Sequence, residues 1–366
     1  MIIGIDASRS TAVHRTGTEA YSLHLIRALL SLPTAHRFRL YFNAAPAPGL
    51  FPSRPDTEYR VIPLPRLWTH LRLAAEGTRD RPEILFVPAH VLPLAFAGRA
   101  VVTVHDLGYR LFPQAHPLLD RLYLDWGTRW NSRRAQVIVA DSEVTRQDLM
   151  AHYGIDPARI VVAYPGYDET LHPVREPKRL AAVRQRYDIA GDYVLYVGTL
   201  QPRKNLIRLV DAFVSLPHTG VQLVLAGGLG WLSAPIVERA RRAGVILTGY
   251  VPDEDKAALL SGASAFVFPS LYEGFGFPVL EAMACGVPVV CSHTSSLPEL
   301  VGGVDGPAAL LVDPSDTAGL AAGIQRILHD QALRTDLIQR GFDNLKRFSW
   351  DNCARQVLAA IEGAAC

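Results

Sequence analysis

Two glutamates eight positions apart, Glu273 and Glu281, bracket a glycine pair, Gly274 and Gly276, within residues 270–290, SLYEGFGFPVLEAMACGVPVV. The segment reads as strand, glycine loop, helix, turn and strand. Glycines let a backbone approach a ligand closely and aim N–H groups at it. Pro278 suits a first helical turn, and a helix start there offers unpaired amides and a positive dipole end to a diphosphate. A carboxylate accepts hydrogen bonds from sugar or ribose hydroxyls, and the loop lets both acids face one ligand. The plain alternative is a turn acid at Glu273 and a capping acid at Glu281.

A second constellation is residues 193–206, YVLYVGTLQPRKNL. A strand ends at Gly198 and a helix follows Asn205, so Arg203 and Lys204 stand at a strand's carboxyl end beside a helix start. Arg as a fork and Lys as a point charge both suit a pyrophosphate. Arg outnumbers Lys by 33 to 4 in this chain, which makes each lysine stand out. The bland reading is a solvated basic helix start. A third constellation is residues 101–109, VVTVHDLGY, where His105 and Asp106 follow an apolar strand; a core histidine is the ordinary alternative. The fourth is residues 15–21, RTGTEAY, in which Gly17 precedes a helix carrying Glu19 and Tyr21.

These residues need elements to position them. Apolar runs at 2–6, 39–43, 84–87, 100–104 and 136–140 read as strands, as do 193–197, 222–226, 245–248, 265–268 and 287–290. Several are continuously apolar, as expected of strands covered on both faces. Amphipathic segments at 19–32, 118–131, 143–152, 205–215, 254–261 and 316–328 alternate with them. Alternating β and α means an α/β fold with parallel sheets. Prolines and glycines puncture residues 165–190, so two Rossmann-like domains are expected, 1–172 and 190–348. The last helix, 350–362, is free to pack on either. Ligands of doubly wound sheets bind beyond the carboxyl ends of the strands, which is where all four constellations fall.

Composition narrows the classes. The 366 residues are 49% hydrophobic and 20% charged, with a net charge of +2 that argues against a nucleic-acid partner. The cysteines at 285, 291, 353 and 366 form no CxxC pair and no disulfide framework. Reduced thiols and the absence of a basic-then-apolar leader make a cytoplasmic protein the expectation. No apolar run reaches the length of a membrane span. Residues 66–81 mix Leu67, Trp68, Leu71 and Leu73 with Arg and His, as either an interfacial helix or a surface helix turned inward. Asp253, Glu254 and Asp255 match a metal-binding DxD pattern but open a helix, where acids favour the dipole. No metal site is expected.

Residues 270–290 resemble the glutamate-seven-residues-glutamate signature of the retaining GT-B glycosyltransferases, family 4 (group 1), a family with many mannosyltransferases. The resemblance extends over nearly the whole chain, most strongly from 193 to 300. It implies a GT-B fold, two Rossmann-like domains facing each other across a cleft. It implies Glu273 against the donor sugar, Glu281 on the ribose, and Gly274, Phe275, Gly276, Val279 and Leu280 along sugar and phosphate. Arg203 and Lys204 would hold the pyrophosphate, with Thr199 standing where such enzymes often carry Arg. His105 would contact the donor sugar, with Asp106 orienting it or touching the acceptor. Gly17 would lie in a glycine loop, Glu19 and Tyr21 near the acceptor, and Gly249, Tyr250 and Val251 around the nucleobase. The implied reaction moves a hexose, mannose first, from GDP-mannose or another nucleotide sugar to a glycan or lipid-linked saccharide; the interfacial reading of residues 66–81 would add peripheral membrane contact. A GT-B epimerase, a glycoside phosphorylase and a non-catalytic nucleotide-sugar-binding protein share the fold. A dehydrogenase is disfavoured, since no GxGxxG follows the first strand.

Overall fold

The computed structural model describes residues 1–12, 15–64, 68–89, 91–217, 220–303 and 306–365. Arg66, Leu67 and Cys366 lie outside the described residues. The chain forms two compact units. The first comprises Met1–Arg110, Leu118–Gly166 and Phe348–Cys366; the second comprises Leu111–Pro117 and Tyr167–Arg347. Residues 111–117, expected with the first domain, therefore belong to the second unit.

The first unit is built on seven parallel strands: β1 (Ile2–Asp6), β2 (Arg37–Phe42), β3 (Thr57–Val61), β4 (Ile84–Val87), β5 (Arg99–Val104), β6 (Val137–Ala140) and β7 (Ile160–Val162). Their order is β3-β2-β1-β4-β5-β6-β7. Its helices are α1 (Gly17–Ser31), α2 (Ala74–Arg79), α3 (Gly108–Leu111, which runs into the second unit), α4 (Leu118–Arg134) and α5 (Glu143–Tyr153). β4, β5 and β6 are buried almost throughout, which is why they read as unbroken apolar runs.

The second unit carries a six-stranded parallel sheet and a two-residue hairpin: β8 (Tyr193–Val197), β9 (Gln222–Ala226), β10 (Ile246–Gly249), β11 (Ala265–Phe268), β12 (Val289–Ser292), the hairpin pair β13 (Gly302–Gly303) and β14 (Gly306–Pro307), and β15 (Leu310–Val312). The sheet order is β10-β9-β8-β11-β12-β15. Its helices are α6 (Pro177–Arg186), α7 (Leu206–Val214), α8 (Ala234–Arg242), α9 (Asp253–Ser261), α10 (Phe277–Ala284), α11 (Leu297–Val301), α12 (Thr317–His329) and α13 (Gln331–Leu345).

The final helix, α14 (Trp350–Ala365), returns to the first unit and packs on α1 and on β4 to β7. Trp350, Cys353, Ala354, Val357, Ile361 and Ala364 make its buried stripe, spaced by three and four. The entry of α14 is fixed by Gly166. A Cβ there would lie 2.4 Å from the backbone nitrogen of Trp350, so only glycine fits. In both sheets the strand order reverses once, between β1 and β4 and between β8 and β11. In the second unit the loops that leave this reversal are 198–204 and 269–276.

Candidate active site

In the second unit the chain after β8 turns through Thr199 and a short 3-10 turn, Pro202–Lys204. Asn205 follows in the left-handed region (φ 60°), which Asn tolerates better than most residues. Its side-chain amide donates to the carbonyls of Pro269 (3.1 Å) and Pro314 (2.7 Å), tying the turn to the end of β11. The amide of Leu271 donates to the Arg203 carbonyl at 2.9 Å. The two loops therefore form one piece, and they deliver their charged side chains to a common point.

That point is Glu273. Lys204 Nζ donates to Oε1 at 2.6 Å, and Arg203 Nη1 lies 3.4 Å from Oε2 while donating to the Tyr272 carbonyl at 2.5 Å. All three side chains are nearly inaccessible to solvent. Burial alone would raise the Glu273 carboxyl; Lys204 and then Arg203 outweigh it and hold it below the ordinary carboxylate range. Lys204 also sits over the Phe268 ring, 5.3 Å from its centroid. The glycine loop is pinned from behind by two serines. Ser295 Oγ accepts from the Glu273 amide at 3.0 Å, and Ser296 Oγ donates to the carbonyls of Glu273 and Phe275. Gly276 (φ 119°) is the N-cap of α10, and Pro278 sits in that helix's first turn.

Glu281, on α10, is paired with Lys256 of α9 in a largely buried contact. Burial alone would lower the Lys256 ammonium, but the Glu281 carboxylate outweighs it and raises it. Two of the four lysines thus meet the two acids of the motif. The scarcity of lysine pointed to Lys256 as much as to Lys204, while the motif spacing pointed to Lys204 alone. Gly249 ends β10 with φ 69°, and Tyr250 beside it is exposed. Val279 and Leu280 are fully buried, and the Val279 amide already donates to the Gly276 carbonyl at 3.0 Å, so their side chains pack beneath the loop. Thr199 is half-buried, with its methyl beside Gly230 in the loop after β9.

In the first unit His105 is the first residue after β5. Its Nδ1 lies 2.5 Å from Asp141 Oδ2, and its Nε2 lies 2.9 Å from the Pro88 carbonyl. Burial alone would lower the imidazolium; the charge and hydrogen bond of Asp141 outweigh it and raise it above the ordinary histidine range. Asp106 does not orient the ring. Its Oδ1 accepts from the Gly108 amide at 2.8 Å and opens α3. Tyr21 is not at an acceptor surface either. It is fully buried, 3.3 Å from the Thr103 hydroxyl, with its ring edge-on to His105 at 4.7 Å. Glu19 is mostly committed to the start of α1, where it accepts from the Thr16 amide at 3.1 Å and pairs with Arg9 at 3.3 Å. Gly17 is exposed at the head of α1.

The acids of the DxD match stand at a helix start. Asp253, Glu254 and Asp255 form the first turn of α9, and buried Asp255 accepts from Arg186 (2.6 Å) and Tyr187 (2.7 Å). Among the described residues no group of three or more His, Cys, Asp or Glu is arranged to hold a metal ion. Trp68, expected at a possible interfacial helix, is buried, and its Nε1 donates to the Ile62 carbonyl at 2.8 Å. Among the described residues no helix is long and apolar enough to cross a membrane.

Comparison with known proteins identifies the family. A family model described as "Glycosyl transferases group 1" matches residues 184–343, and one described as "Glycosyltransferase Family 4" matches residues 15–171. The O-antigen chain mannosyltransferase B of Escherichia coli is 37% identical over 302 residues, 80% of this chain and 78% of that protein. The chain belongs to the group 1 glycosyltransferases. This glycosyltransferase shares its GT-B fold with sucrose-phosphate synthase from Thermosynechococcus elongatus (TM-score 0.76, 22% identity, 99% of this chain and 98% of that one). Anabaena HepE, solved in complex with UDP and glucose, has the same fold (TM-score 0.76, 20% identity, 99% of both chains). Both likenesses speak to the fold of the glycosyltransferase and not to its substrates.

Proposed function

We propose that this glycosyltransferase moves a hexose, mannose as the first candidate, from a nucleoside-diphosphate sugar to a hydroxyl of a glycan or lipid-linked saccharide, with retention at the anomeric carbon. The observation that carries the reading is the buried Glu273–Lys204–Arg203 cluster beside the amides that open α10, at the point where the strand order reverses. Fixed cations stabilise a pyrophosphate as it departs and gains charge. Glu273, held ionised between them, accepts hydrogen bonds from donor-sugar hydroxyls, and Glu281 does the same for the ribose. His105 is assigned to the donor sugar, as the family resemblance implies. No side chain is placed as a covalent nucleophile in this reading; the departing phosphate takes the acceptor's proton as the new bond forms on the same face. The mannose assignment is supported by the mannosyltransferase relative, and GDP-mannose is the donor to try first.

The test is a transfer assay with GDP, UDP and ADP sugars, followed by NMR of the product linkage. Retention is expected. Lys204→Ala and Glu273→Ala are each expected to lower kcat/KM by about a hundredfold or more, the scale of losing one charge-stabilising group. Robust turnover in both variants, or an inverted anomeric centre, would overturn the reading.

The proposal includes peripheral contact with an anionic membrane surface. Leu118, Leu119, Leu122, Tyr123 and Trp126 form one exposed face of α4, with Leu119 79% exposed. Exposed Leu71 lies on the neighbouring segment, whose His70 touches Tyr123 and Trp126. Arg72 and Arg121 add positive charge. Co-sedimentation with vesicles containing anionic lipid is expected to fall several-fold in a Leu119→Ser, Leu122→Ser double variant. Equal binding by variant and wild type would remove the contact.

A further inference from the structure

Three neighbouring strands, β4, β5 and β6, end side by side, and the first residue beyond each is Pro88, His105 and Asp141. The topology brings together residues as much as 53 positions apart. We infer that Asp141 is a positioning residue for the transfer reaction, holding the His105 ring with both N–H groups engaged, so that what the ring offers the reaction is its positive charge and not a free N–H. The inference rests on the proposal that His105 meets the donor sugar.

The hydrogen placement follows from the partners. The Pro88 carbonyl only accepts, so Nε2 carries a hydrogen. The second lies in the short contact between Nδ1 and Asp141 Oδ2. The ring is further walled by the edge of Tyr21, and the His105 carbonyl accepts from Thr145 Oγ1 at 3.2 Å. Thr145 is itself bound to Ser142, the N-cap of α5, directly after Asp141. Ring, carboxylate and helix start are thus one locked unit.

A purely structural role accounts poorly for Asp141. It is 2% exposed, and its Oδ1 is buried without a hydrogen-bond partner among the described residues. A buried carboxylate with half its accepting capacity idle costs stability that an apolar residue would not. The other titratable groups around it do not supply a cation. Tyr21 from α1 and Cys353 from α14 are driven up by burial and by Asp141, so they stay protonated and neutral. The charge of Asp106 also favours the charged ring. Burial pushes the Asp141 carboxyl up while His105 pulls it back down, so the contact ties the charges of carboxyl and ring together.

The sign of the pH effect follows. His105 is raised, so its charged form persists above the ordinary imidazole range and is lost as pH rises through the raised value. Turnover should fall on that alkaline limb. Asp141→Asn keeps the shape and removes the charge. It is expected to lower kcat by about tenfold or more, with a smaller change in donor KM. It should also move the alkaline limb down by about one pH unit, the usual effect of one close opposite charge. The same downward movement is expected in an NMR titration of the His105 ring, assigned with His105→Asn. A wild-type ring that is neutral at pH 7 overturns the inference, whether or not Asp141→Asn folds. So does an Asp141→Asn enzyme with an unmoved limb and an unmoved titration. Full activity in His105→Asn would instead sink the assignment of His105 to the donor, while activity lost in His105→Asn but untouched in Asp141→Asn would sink the role of Asp141 alone.

Discussion

At the scale of single residues, Glu273 is held by forces that would individually undo one another. Its burial opposes ionisation, and two adjacent cations more than compensate. Removing the charge leaves Arg203 and Lys204 facing a neutral group in a nearly dry site, a loss of about 3–5 kcal/mol for a broken buried pair. Because its folded pKa is depressed, its stabilising effect is present above the unfolded value and lost as pH falls through the folded one. Glu273→Gln should therefore be clearly less stable than wild type at pH 7, with the gap closing on acidification below about pH 4.3. Urea midpoints across that range check it; a gap that stays constant would mean the carboxylate is not what stabilises the cluster. The motif acids and Lys204 were legible from residue type and spacing. Asp141 was not, because 36 positions of chain separate it from His105 and only the order of strands joins them. Lys256 was legible only as a member of a scarce residue type.

At the scale of elements, the strands at the centre of each sheet stood out as continuous apolar runs. The edge strands β3, β7 and β15 were missed. β3, with sequence TEYRV, is half solvated and interleaves charges with apolar residues, and β7 and β15 are three residues each. The helix α6 lay inside the segment taken for the break between domains. Its Pro177 begins the helix, where a missing N–H is harmless, so a residue taken as a breaker was a starter. Gly166 supplies the prediction at this scale. Gly166→Ala forces a methyl group against the backbone of Trp350, which cannot rotate away. A loss of about 1–3 kcal/mol is expected, of the order measured for overpacked sites, read as a drop in thermal midpoint with donor affinity largely retained. An unchanged midpoint would show that the start of α14 moves freely.

At the scale of the whole molecule, the chain passes between the two units more often than a simple pair of domains requires. Residues 111–117 leave the first unit and join the second, where Trp231 Nε1 donates to the Ala115 carbonyl at 2.5 Å and the Phe112 ring lies against Tyr272, next to Glu273. Residues 348–366 make the opposite journey. A gene fragment ending at residue 166 would produce a first half stripped of α14, with the apolar surface that helix covers left bare to water. One starting at residue 167 would lack the strap beside Tyr272. The halves are woven rather than concatenated, so evolution or an engineer wishing to exchange the second unit must transplant two separate pieces of sequence, 111–117 and 167–347, in register, and a swap at one junction would graft a mismatched strap and tail.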